Sequence, residues 1–434
     1  MKNTKSNDNS EKNSGNKTVV EPETTTKSIQ EINLLKEIEI AARRLTGVIH
    51  TIPLSTSRTF SGMSGAELFL KYENQQKTGS FKVRGAYNKI ASLIESGKRP
   101  KMVIASSAGN HAQGVAFASS SLGIDATIVM PRSTPIAKVS ATEGYGANVV
   151  LHGDCYDDSY EKALEIQKET DAVFIHPFDD IDVIAGQGTL GLEILQDLPN
   201  VDVVMVPAGG GGLLSGIACC IKEINPRIKV VGVQAEGANA IYKSFENKGW
   251  KCTDNVHTIA DGIAVKSPGK LTCGLINKYV DEIVTVSDED IATSILLLLE
   301  RSKQMVEPAG AASLAAAISG KTDIKGKRVV CVLSGGNIDV SFIHRIVEKG
   351  LVTRGRQVKF KTQMLDTPGS LERFSHIVAG TGGNIIKVSY DRLDASLRLD
   401  EAILYTTTEV SGPRHMNEIL NSLEKNGFKS EIIS

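Results

Sequence analysis

The sequence predicts an α/β protein in which a parallel sheet, covered on both faces, is followed by a smaller α+β module. Two observations lead there. Seven short β-branched runs, at 101–106, 126–130, 147–152, 202–207, 228–234, 281–286 and 328–333, alternate with longer alanine-rich amphipathic segments. That is the order of strand, crossover helix and parallel strand. After Lys349 the composition changes, and 357–434 reads strand, helix, strand, strand, helix, strand, a ferredoxin-like βαββαβ order with its helices on one face.

The elements follow in order. Residues 1–27 are rich in Asn, Lys, Ser, Thr and Glu, with Val19-Val20 as their apolar pair, and read as a disordered polar tail. Asp8, Glu11, Glu21 and Glu23 run against a mitochondrial transit peptide. Order is expected from Ser28, where Ser28-Ile-Gln-Glu31 has capping-box spacing ahead of a helical stripe of Ile32, Leu35, Ile38 and Ala42. That helix ends before Pro53. Residues 28–348 then form the α/β domain, with a smaller subdomain inserted at about 75–180, and 349–356 form a linker. In the module at 357–434, strands are expected at 358–365, 384–390 and 401–410, with helices at Ser370–Ala379 and His415–Lys425. A short last strand follows near the C-terminus.

The totals exclude several functions. Lys and Arg number 49 against 50 Asp and Glu, without a long basic block, so neither nucleic acid nor an anionic membrane is an expected partner. No apolar run approaches the roughly 18 residues of a membrane helix, and no secretory leader opens the chain. Six scattered cysteines contain no C-x-x-C pair, which argues against a zinc site and a disulfide framework and for a reducing cytosol. Small-molecule chemistry in the cytoplasm is the expectation.

Four stretches carry that chemistry. In KTGSFKVRG, Lys77–Gly85, Lys82 has no acidic residue within five positions on either side; it is either a solvated loop lysine or a partly desolvated amine available as a nucleophile. SSAGNHAQG, Ser106–Gly114, follows a strand and opens an alanine-rich helix. It is either a capped turn or a seat for a carboxylate or phosphate. Gly209–Gly212 places four glycines between a buried strand and a helix; against a flexible turn stands the close approach of an anion to bare amides. The frame is not the dinucleotide fingerprint, since no acidic residue follows at the required place. Ser334-GGN337 again follows a strand directly, as a cap or as part of the same crevice, because ligands of parallel sheets bind at the carboxyl ends of strands. A phosphate seat, a lysine and hydroxyl ligands together suit pyridoxal phosphate.

On these residues the chain resembles the fold-type II pyridoxal-phosphate enzymes, of tryptophan synthase β-like architecture, and among them the threonine dehydratases (threonine ammonia-lyases) with one C-terminal ACT domain. The matching motifs are SFKVRGA (Ser80–Ala86), SAGNHAQGVA (Ser107–Ala116), PAGGGGLLSG (Pro207–Gly216), TIADGIAV (Thr258–Val265), EPAGA (Glu307–Ala311) and LSGGN (Leu333–Asn337). The resemblance runs from about Ile32 to the C-terminus. It implies that Lys82 carries pyridoxal 5'-phosphate as an imine, that Phe81 packs on the ring, and that Asn110 bonds the phenolic oxygen. Gly209, Gly210, Gly211, Gly212 and Leu213 would hold the phosphate, and Ser334 would meet the pyridine nitrogen. Ser107, Ala108, Gly109, Asn110 and His111 would bind the substrate carboxylate. The implied reaction is deamination of L-threonine to 2-oxobutanoate and ammonia, and of L-serine to pyruvate. Lys82 would be the catalytic base.

Serine racemases of the same fold carry a serine where this chain has Ala108, and an acidic metal ligand where it has Tyr242. No divalent metal is therefore expected, and a monovalent ion bound by backbone carbonyls stays open. Glu307 is either an orienting residue or a catalytic carboxylate, and His111 a structural residue or a proton carrier. In the ACT-like part, Asp366, Pro368, Gly369 and Leu371 form either a simple β-turn or the seat of an amino-acid or nucleotide effector. A homodimer or homotetramer is implied. The alternatives are a threonine synthase-like enzyme and an amino-acid-sensing protein with a degenerate catalytic part.

Overall fold

In the computed structural model, which describes residues 33–253 and 255–433, the first helix runs Leu34–Leu45 and buries Leu34, Ile38, Ala41 and Leu45. The stripe expected through Leu35 and Ala42 is displaced by one position; those two side chains flank it, and Ile38 is common to both. The spacing i, i+4, i+7, i+11 presses one narrow face against the helices Ile181–Asp197 and Gly212–Ile224. Ile32, the capping-box residues Ser28 to Glu31 and the polar tail lie outside the described residues.

The chain then enters a sheet with β1 (Ser55–Thr56) and β2 (Glu67–Tyr72), which pair antiparallel. It leaves to build a second sheet from β3 (Met102–Ser106), β4 (Asp125–Met130), β5 (Asn148–Leu151) and β6 (Val173–Phe174), all parallel in the order β5-β4-β3-β6. It returns with β7 (Val203–Pro207), β8 (Lys229–Ala235), β9 (Glu282–Val286) and β10 (Arg328–Leu333), completing the order β1-β2-β10-β7-β8-β9. All seven expected strands are present. The two-residue β1 and β6 and the six-residue β2 are not among them. Helices cover the large sheet, so β7 is buried along its whole length, and the alanine-rich helix Pro308–Ile318 lies across β7, β8 and β10 with almost every residue buried.

The C-terminal module contains β11 (Gln357–Leu365), β12 (Asn384–Asp391), β13 (Glu401–Glu409) and β14 (Lys429–Ile432) in an antiparallel sheet ordered β12-β13-β11-β14. Helices Ser370–Gly380 and Pro413–Lys425 close over one face, around Phe360, Phe374, Leu404, Ile419 and Phe428. The stretch 349–356, expected as a linker, is helical through Thr353 because the preceding helix runs Val340–Thr353. Gly350 serves a different purpose there: a Cβ at that position would stand 2.5 Å from Leu296 Cδ2, so the glycine permits close helix packing.

A buried charge cluster ties the end of β2 to the helix Lys82–Glu95. Arg84 is fully buried and bidentate on Glu73, at 2.8 Å through both Nε and Nη2. It also reaches Glu193 of the helix Ile181–Asp197, and Lys71 bonds the same Glu193 at 2.8 Å. Removing one partner strands a buried charge. Arg84→Met should cost about 3–5 kcal/mol, read from the denaturant midpoint, and the double variant with Glu73→Gln should recover part of that loss. Additive losses would contradict the pairing.

Candidate active site

Three strand ends converge. Beyond β10, Ser334 is 3% exposed and its carbonyl accepts the Phe81 N–H at 3.1 Å, while Gly336 N–H donates to Gly79 O at 2.9 Å. Ser80 and Gly335 form an antiparallel bridge. Gly79, at φ +71, lets the chain turn at this crossing, where Asn337 leaves no room for a side chain. These bonds set the first residue of the helix Lys82–Glu95 beside the rim of the large sheet. Lys82 Nζ donates to Pro177 O at 2.8 Å and lies 5.3 Å from the Phe81 ring centroid. Burial pushes its ammonium down to about 8, with the Glu307 carboxyl opposing.

Beyond β7, Gly209–Gly212 runs into the helix Gly212–Ile224, whose first amides have no intrahelical partner. Gly211 has φ +99, and a Cβ on Gly210 would fall 2.3 Å from Phe178 Cδ1. The loop is thus pressed onto the Phe178 ring. Thr272 Oγ1 holds the Gly210 carbonyl at 2.7 Å. Amides at a helix start, unshielded by side chains, make an anion seat.

Beyond β3, Gly109 caps the helix Asn110–Ser121. Ser107 Oγ accepts the Gly109 N–H at 3.2 Å, which folds the loop on itself. Asn110 Nδ2 donates to Glu307 Oε1 at 2.7 Å, and its Oδ1 accepts from Asn337, which also donates to Thr78 O at 3.0 Å. An amide nitrogen carries two hydrogens, so the bond to Glu307 orients the second. Glu307 is 4% exposed; burial first, then Asp261, raises its carboxyl to about 7, against the Asn110 hydrogen bond. His111 is buried, and Ile175 O takes its Nε2 proton at 2.8 Å. Burial and the nearby Lys82 push it down to about 3, which keeps the ring neutral.

The structure therefore brings Phe81, Lys82, Ser107 to His111, Gly209 to Leu213 and Ser334 to neighbouring strand ends. Asp366, Pro368, Gly369 and Leu371 belong to the C-terminal module, where Asp366 pairs with Arg392 at 2.9 Å and Leu371 is exposed. The residues missed from sequence are Pro177 and Phe178, whose part is played through backbone and packing, and Thr272, which acts through its hydroxyl. Asn337 stood inside a quoted motif without a role. The donor set fits pyridoxal phosphate: a half-buried lysine amine, bare amides at a helix N-terminus for an anion, and a buried hydroxyl at Ser334.

Comparison with known proteins agrees. A family described as "Pyridoxal-phosphate dependent enzyme" matches residues 45–335. The chain belongs to this family. Its cofactor is pyridoxal 5'-phosphate. The family member described here is 49% identical to the L-threonine ammonia-lyase of Thermotoga maritima over 399 residues, 92% of this chain and 99% of that protein. Among solved structures it is similar to the processed threonine deaminase isoform 2 of Solanum lycopersicum, at a TM-score of 0.69 and 36% identity, over 73% of this chain and 87% of that one. It is similar to maize serine racemase at a TM-score of 0.69 and 34% identity, over 74% of this chain and 98% of that one.

In the coenzyme-free enzyme, acylation of Lys82 should rise with pH around a midpoint near 8 rather than 10.5. In Glu307→Gln the midpoint should fall further, because the negative charge favouring the ammonium is gone. Labelling of the Lys82 peptide against pH measures both; a midpoint that rises on substitution contradicts the placement of Glu307.

Proposed function

We propose that this chain deaminates L-threonine to 2-oxobutanoate and ammonia, and L-serine to pyruvate and ammonia. The observation that carries the reading is the recessed Lys82 amine, beside the glycine loop, in a chain that aligns almost end to end with an L-threonine ammonia-lyase. When bound, pyridoxal phosphate supplies an electron sink conjugated to the substrate Cα. The protein supplies the rest. Lys82, shifted toward neutrality by burial, takes the Cα proton as general base. The amides at the start of the helix Asn110–Ser121 receive the substrate carboxylate. Gly209 to Leu213 would hold the phosphate, Phe81 would pack on the ring, Asn110 would offer its second N–H to the phenolic oxygen, and Ser334 would meet the pyridine nitrogen. The β-hydroxyl leaves as water and water later replaces the nitrogen, so threonine equals 2-oxobutanoate plus ammonia in atoms.

The likeness to maize serine racemase raises racemisation as a second reading. It is disfavoured because Ala108 offers no hydroxyl where serine racemases of this fold carry one. Residues 357–433 form a regulatory module in this reading, fed by an amino-acid or nucleotide effector at the Asp366–Gly369 turn and paired with a second copy in a homodimer or homotetramer. Support comes from the sheet order β12-β13-β11-β14, that of a ferredoxin-like module. An effector acts only by differing affinity for two states. A cytoplasmic setting is supported by six free cysteines, four of them buried. No helix among the described residues is long and apolar enough to cross a membrane.

Product analysis tests the reading. L-Threonine should yield 2-oxobutanoate and ammonia, Lys82→Ala should lose roughly 10²–10⁴-fold or more in kcat, and D-serine should not accumulate from L-serine. Isoleucine, valine and AMP should be titrated against the full chain and a chain ending at Thr353. Absence of keto acid removes the lyase, and an equal response in both chains removes the module's regulatory part.

A further inference from the structure

The segment His176-Pro177-Phe178-Asp179 joins β6 to the helix Ile181–Asp197 and was not marked by any sequence signal. Each of its residues serves a different neighbour. Pro177 O holds Lys82 Nζ at 2.8 Å. The Phe178 ring lies under Gly210, and the Phe178 backbone stands 3.0 Å from where a Gly212 Cβ would be. Asp179 accepts the amides of Thr272 at 3.0 Å and Lys270 at 3.1 Å, and Thr272 in turn holds the Gly210 carbonyl. One side chain closes the turn that arranges all three. His176 Nδ1 accepts the N–H of Phe178 at 3.2 Å and of Asp179 at 2.7 Å, and its ring meets the Phe178 ring edge-on at 4.7 Å.

We propose that His176 is a positioning residue that sets the spacing between the Lys82 amine and the Gly209–Gly212 anion seat through its single imidazole acceptor. The inference rests on the reading of Lys82 and the glycine loop given above. Pyridoxal phosphate reaches the protein at two points, a carbonyl carbon and a phosphate, at a separation its own bonds dictate. This turn touches both receiving groups directly, Pro177 O at Lys82 Nζ and Phe178 against the glycine loop. Two backbone N–H groups depend on one nitrogen lone pair; without it they have no acceptor in the turn. For Nδ1 to accept both, the neutral ring must carry its proton on Nε2.

Asparagine Oδ1 stands the same three bonds from Cα as histidine Nδ1 and can close the same turn, as it does in Asx-turns; the Oε1 of glutamine, one methylene farther, cannot. His176→Asn and His176→Gln are therefore compared with the unmodified full-length enzyme. Measured for each are the affinity for pyridoxal phosphate after resolution of the coenzyme, kcat and KM for L-threonine, and the melting temperature of the coenzyme-free form. His176→Asn should bind the coenzyme within about threefold of the unmodified enzyme, and His176→Gln about tenfold or more weakly. In His176→Gln, kcat should fall more than KM changes, at an unchanged melting temperature. Equal behaviour of the two variants, whether both intact or both impaired, overturns the inference, as does a loss of affinity matched by a lower melting temperature. Lys82→Ala is the control. If it keeps the visible absorption of covalently bound coenzyme, the reading of Lys82 falls and this inference with it. If that absorption is lost while the Asn and Gln variants are indistinguishable, the inference alone falls.

Discussion

An amine that sheds its proton near neutral pH needs a place where water solvates its charge poorly and no carboxylate sits close enough to restore it. Lys82 has that place. It opens a helix rather than lying in a mobile loop, its Nζ is held on Pro177 O, and Phe81 shields one side. Glu307 acts on it from a distance, and burial keeps that carboxyl itself close to neutrality. Two mutually opposed shifts, one down and one up, bring both groups near physiological pH, where general acid–base chemistry is most effective.

The rest of the fold can be understood as support for that amine. The backbone bonds from Phe81 to Ser334 and from Gly336 to Gly79 tie the lysine segment to the carboxyl end of β10. Arg84, two residues on, anchors the same helix from beneath through Glu73 and Glu193. A parallel sheet gathers its strand ends on one side, so the loops after β7 and β10 share a rim. The second sheet adds the loop after β3, whose Asn110 reaches Glu307 across 197 positions of sequence.

Much of this was legible in the residues. Val203–Pro207 and Val329–Leu333 are unbroken apolar runs, as strands buried on both faces must be. β2 was overlooked because Glu67 and Lys71 interrupt it; Lys71 is only 1% exposed, its charge met by Glu193. The glycines at 209–212 and the isolated Lys82 signal locally because bare amides and uncompensated charge are visible in a few letters. Gly350 misled, since a glycine reads alike whether it breaks a helix or admits a neighbour. The turn at His176 was invisible: an imidazole accepting two amides has no composition signature, and its meaning arises only where two sheets meet.

The account stands on the covalent site of the coenzyme. Reduction of the native enzyme with borohydride, digestion, and mass spectrometry of the modified peptide locate it directly. The predicted result is a single pyridoxyl-modified residue, Lys82, in the segment Ser80–Arg84. Modification at another lysine, or none at all, would contradict the account.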